Sequence, residues 1–179
     1  MKSLTKWAAT AIVFSAVLAG SAFAQNTPKL TDPEIASVAV VANQTDIGYA
    51  EIAKVKSKNA DVLKFAETMA GDHKAVIDQA VALVTKLKVT PKDNAVSRSL
   101  VANGEKTKKM LNSKSGEAFN KAYIDNEVAY HKAVISTVEN VLIPQAQNAE
   151  LKALLEKVVP TLKAHLEHAQ MVQKNFKGK

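Results

Sequence analysis

The chain has 179 residues, 23% of them charged, a formal net charge of +7 and no cysteine. The missing cysteine excludes structural disulfides and a lipid-modified N-terminal Cys. Its basic residues are spread along the chain, with only Lys106, Lys108 and Lys109 close together, which reads as a solvated surface and argues against nucleic acid as a partner.

Residues 1–24 read as a signal peptide. Lys2 and Lys6 make a positive start, residues 7–18 are an almost unbroken apolar run, and Ala22-Phe23-Ala24 supplies a small-x-small cleavage pattern. The run is short for a bilayer span, so cleavage after Ala24 is expected, with a periplasmic protein and no transmembrane segment in the mature chain. Removing 24 of 179 residues leaves 155, enough for one domain, and lowers the net charge to about +5 because Lys2 and Lys6 leave with the leader. Residues 25–30 form a short polar tail, and residues 31–179 are expected to fold as a single helical-bundle domain.

Thr31-Asp32-Pro33-Glu34 has the pattern of a capping box with Pro in the first turn, and opens a first helix running to about Lys58. Asn59 caps a second helix that reaches about Lys88, where Val89-Thr90-Pro91 ends it. A looser stretch leads to a shorter helix over residues 97–112. Ser115-Gly116 opens another long helix, expected to stop at Leu142 before Pro144, and Asn148 caps the last, which extends to about Phe176. No segment alternates apolar and polar residues for long, so no strand is expected. Two hairpins with short links, separated by a long crossover carrying a short extra helix, predict an all-α, ferritin-like four-helix bundle.

Four polar residues interrupt apolar stripes in four different helices. His73 fills the missing step among Met69, Val76 and Ala80, His131 among Val128 and Ile135, and His165 among Leu162 and Ala169. Asp46 stands in the row of Ala39, Ala42, Tyr49 and Ala53. Counted from the turns that join each pair of helices, all four lie near mid-helix. A polar group buried alone is costly, so one from each helix at similar depth points to a bundle-centre metal site of Asp46, His73, His131 and His165. Three imidazoles and a carboxylate suit Zn, Cu(II), Fe(II) or Ni without choosing among them. The competing reading is a metal-free envelope protein in which Asp46 and the imidazoles form a hydrogen-bond network.

Neighbours extend the set. Glu127, one turn before His131, is placed to orient that ring or add a carboxylate. His168 is within reach of the same ion or faces water. Asp72 points about 100° away from His73, which favours an ion pair over ligation. Gly48 and Gly71 suggest close approach of the first two helices or room for the site, and Pro160 suggests a kink that re-aims His165. There is no nucleophile constellation, phosphate-binding Gly loop or cofactor motif, so an enzyme ranks behind a binding role.

Phe65-Ala66-x-x-Met69-x-x-Asp72-His73, Phe119-x-x-x-Tyr123 followed by His131, and Pro160-Thr161-Leu162-x-x-His165-Leu166 resemble the ferritin-like family known as domain of unknown function 4142 (DUF4142). The resemblance covers nearly all of the expected mature chain. It implies an exported, periplasmic or envelope-associated helical bundle and no particular reaction. The family commonly has Glu where this chain has the shorter Asp46. Val128 stands three residues before His131 and Leu162 before His165, so the Glu-x-x-His pairs of di-iron bundles are missing. Ferritin-type iron oxidation is therefore not expected.

Overall fold

The computed structural model describes residues 29–176. The expected leader, most of the polar tail and the last three residues lie outside them. The described chain is all-α: α1 (Asp32–Lys56), α2 (Ala60–Lys86), α3 (Ala95–Asn112), α4 (Gly116–Thr137), a π turn (Val138–Leu142), the one-turn α5 (Ile143–Gln145) and α6 (Ala149–Lys174). No strand occurs among the described residues.

Short polar side chains fix where the helices begin. At α1 the Glu34 carboxylate reaches back to accept from Thr31 N–H at 2.9 Å and Thr31 Oγ1 at 2.7 Å. Asn59 accepts from Val62 N–H, and Asn148 from Glu150 and Leu151 N–H, each relieving amides that the first turn leaves unpaired. The same chemistry moves the start of α3 ahead of the expected position. Asn94 accepts from Val96 and Ser97 N–H, so the helix begins at Ala95 instead of residue 97.

Pro144 does not end the third long helix as expected. The chain widens by one residue over Val138–Leu142, where Ile143 N–H bonds to Val138 O, five residues back. That offset restarts the helix, and Pro144 falls in the first turn of α5, where its missing N–H costs nothing.

Helix α1 packs on α2, α4 on α6, and α2 on α6, while α1 also contacts α4 and is flanked by α3. Two core clusters result. One is rich in aromatic residues: Phe65, Phe119 and Tyr123 are fully buried beside Met69 and Ile124. Burial of each such side chain contributes roughly 1.5–3 kcal/mol. The other is aliphatic, built on Ile35, Val38, Ile135, Leu142, Leu155 and Leu162. Beside it lies a cavity of about 360 Å³ that reaches the middle of the bundle.

The glycines do something other than the sequence suggested. A Cβ at Gly48 would meet Lys108 Cε of α3 at 2.7 Å, and one at Gly71 would meet nothing within 4 Å. Neither marks an α1–α2 approach. The close approach is at Gly104, where a Cβ would lie 3.0 Å from Thr45 Cγ2, letting α3 settle against α1.

Candidate metal centre

The period of each helix delivers its side chain to the interior. His73 sits one turn after Met69, His131 one turn after Val128, and His165 one turn after Leu162, all on faces buried by packing. Asp46 is wholly inaccessible on α1, and the three imidazoles are nearly so. The structure brings these four residues together. The rings form a near-regular triangle, with centroids 5.6 Å apart for His73 and His131, 5.1 Å for His73 and His165, and 5.4 Å for His131 and His165.

Each ring has one nitrogen tied outward. Asn43 Nδ2 donates to Ala39 O, which fixes its amide so that Oδ1 accepts from His73 Nδ1–H at 2.7 Å. His131 Nδ1–H donates to the Glu127 backbone carbonyl at 3.0 Å. His165 Nε2–H donates to Asp72 Oδ2 at 2.9 Å. These acceptors assign the tautomers, leaving lone pairs on His73 Nε2, His131 Nε2 and His165 Nδ1. All three atoms are buried, and no protein group bonds to them. One nitrogen from each ring lies within 4.8 Å of one from each of the others.

Asp46 closes the set. Its Oδ2 is 3.5 Å from His73 Nε2 and 3.7 Å from His131 Nε2. These separations are long for hydrogen bonds. They lie close to the ~3.3 Å spacing of N and O ligands held tetrahedrally at about 2.0–2.1 Å from one ion. Burial pushes His73 and His131 toward the neutral form that ligation needs: His73 falls to about 3 and His131 to about 4, desolvation being the main cause and neighbouring imidazoles adding to it.

Glu127 is also completely buried, and with Asp46 and His131 it forms a second group whose ligand atoms lie within 4.8 Å of one another. The two carboxyls face each other closely enough to share a proton, Glu127 donating to Asp46, and the Asn126 amide approaches Glu127. Desolvation pushes Asp46 up to about 7 and holds Glu127 well above the usual carboxylate range, where the Asp46 charge adds to the effect. The pair therefore retains a proton at neutral pH or hands it over to a cation. Tyr123 Oη is buried nearby without a hydrogen-bond partner, and burial raises its pKa, with Glu127 and Asp46 adding to the effect.

The remaining candidates separate clearly. Asp72 lies half exposed and pairs with His165, acting on the centre from outside. His168 does not join it and packs edge-on against Phe65 at 5.1 Å. Asn43 is the residue that the sequence reading missed. Its only signal was a polar side chain on α1 one turn from Asp46.

Chemically, three imidazole nitrogens and one or two carboxyl groups converge on a buried point. Residues 18–172 match the family described as Domain of unknown function (DUF4142), and the chain belongs to that family. No curated protein and no solved structure was found to match it.

Proposed function

Starting from that membership, we propose that the chain is a periplasmic, ferritin-like bundle that binds one divalent transition-metal ion at His73, His131, His165 and Asp46, for storage, buffering or sensing. The bundle is two hairpins, α1–α2 and α4–α6, with a crossover carrying α3. The packing of α1 on α2 and α4 on α6 supports this. Export is supported by the positive start, apolar run and Ala22-Phe23-Ala24 of the leader.

The observation that carries the metal reading is the division of labour on each ring. One nitrogen is anchored on an oxygen, and the other turns, partnerless, toward its counterparts. Outward anchoring of this kind is what orients histidine ligands in metal sites. A buried hydrogen-bond network would pair its inward atoms instead. The 3.5 and 3.7 Å separations from Asp46 to His73 and His131 favour coordination over such a network. Zn, Cu, Fe and Ni all suit this donor set.

The test is elemental analysis of protein purified without chelator or affinity tag, beside a His73→Ala/His131→Ala variant. Near-stoichiometric metal in the wild type that disappears in the variant is expected, and it identifies the ion. Metal-free protein whose melting temperature does not respond to added Zn, Cu, Fe or Ni would overturn the reading.

A further inference from the structure

The cavity that opens from the imidazoles extends well beyond what an ion needs. Its volume of about 360 Å³ falls within the range of small-molecule sites, roughly 300–1,000 Å³. Two features say what fits it. Its wall contains no charged side chain, and away from the centre it is aliphatic, with Val38, Ala80, Leu83, Leu142 and Leu155 facing the space. His73, His131 and His165 line it at the bundle centre, and these are the rings that keep unpartnered buried nitrogens. Along α6 the wall runs from Leu151 to His165, about 21 Å at ~1.5 Å per residue. A space of that length is suited to one extended chain.

We propose that this cavity binds a single-chain aliphatic carboxylic acid, its tail among Leu83, Leu155 and Val158 and its carboxylate at the imidazole end, on the bound metal ion. The proposal rests on the metal reading. In a wall without charged groups, only the ion supplies the positive charge that a buried carboxylate requires. Asp46, on the same ion, cancels one of the two charges of a divalent ion, and the incoming carboxylate cancels the other. An amine head would meet the ion's like charge, and a purely apolar chain would leave its polar end unused.

Dodecanoic acid is the probe, titrated calorimetrically into zinc-loaded protein, zinc-free protein and a zinc-loaded Ala80→Phe variant that plugs the cavity seven residues from His73. Zinc content and helicity are measured on every sample. The expected result is saturable binding of about one dodecanoic acid per zinc-loaded chain. Affinity should fall at least tenfold in Ala80→Phe with zinc retained, and by a similar factor in the zinc-free wild type. Should Ala80→Phe fail to fold, Val158→Phe at a half-buried wall position takes its place. No saturable binding to zinc-loaded wild type, or undiminished affinity in the folded cavity variant, would overturn this proposal and leave the metal reading standing. Failure of the wild type to take up zinc or any other ion would overturn the metal reading, and the head-group assignment with it.

Discussion

On either side of the three imidazoles, the same helices form two different interiors. Toward one end, Phe65, Phe119 and Tyr123 fill the core, with Phe119 and Tyr123 stacked at 6.2 Å and Phe65 edge-on to Tyr123 at 6.0 Å. Toward the other, the core cluster contains no aromatic residue, and the cavity lies beside it. Ala, Val and Leu side chains make up most of the wall there. The hollow end is instead pinned by hydrogen bonds at its rim. Leu30 N–H donates to Gln145 Oε1, Asp32 accepts from Gln147 and Asn148 N–H at 2.8 and 2.9 Å, and Lys92 N–H reaches Pro33 O at 2.9 Å. Packing sets one half, and polar closure the other.

The sharpest way to break this comparison is to remove bulk from each half. Phe65→Ala should cost about 3–5 kcal/mol, because rigid neighbours cannot collapse onto the space. Leu83→Ala, on the half-buried cavity wall, should cost about 1 kcal/mol, as its side chain already borders open space. Urea denaturation of both variants measures the contrast, and equal losses would remove it.

A second expected effect is at the centre itself. In metal-free protein the imidazoles of His73 and His131 titrate below their unfolded value, so the stability they contribute is present above about pH 6.5 and is lost as pH falls toward 4. Asp46, raised from 3.8 to about 7, acts in the opposite sense, and its contribution is lost as pH rises through that interval. Glu127, held well above the usual carboxylate range, acts as Asp46 does, so two imidazoles oppose two carboxyls and the wild type with chelator should show a shallow profile between pH 4 and 6.5. Asp46→Asn should make stability climb with pH there, and should leave the metal-free protein more stable at pH 8 by on the order of 1–3 kcal/mol, since the buried Asp46 carboxyl no longer has to ionise. The same variant should bind metal more weakly. Denaturation across pH, with chelator and with zinc, decides it; an unchanged profile counts against the assignment. The smallest effect is expected at the pinned rim, where Asn148→Ala should cost about 1 kcal/mol in thermal melts by uncapping α6.

Much of this was legible in the sequence because it is encoded locally. Helix starts follow from single residues such as Asn59 and Asn148, whose side chains bond two or three positions on. The placement of Asp46 and the three histidines follows from period alone, since a polar side chain in an apolar row must go where the row goes. Features that depend on several segments at once were not legible. Glu127 was recognisable as a neighbour of His131, but its confrontation with Asp46 depends on how α1 meets α4. The anchor at Asn43 lies beside the apolar row and leaves no gap in the pattern. Pro144 was read by its usual rule, and the π turn before it changed the outcome by shifting the backbone pairing one residue. The cavity is defined by what five helices fail to fill, and no stretch of one helix carries that information.

The contact between His165 and Asp72 bears on the charge that the proposed ion would carry into the bundle. Two of the three outward anchors, the Asn43 amide and the Glu127 carbonyl, are neutral, whereas Asp72 is a carboxyl group half in water. Solvent screens Asp72, so Asp46 is the ligand charge that counts inside. A doubly charged ion would then keep one positive charge uncompensated, and an anion arriving through the cavity would cancel it. Ion and anion would thus be a matched pair, each stabilising the other in the interior.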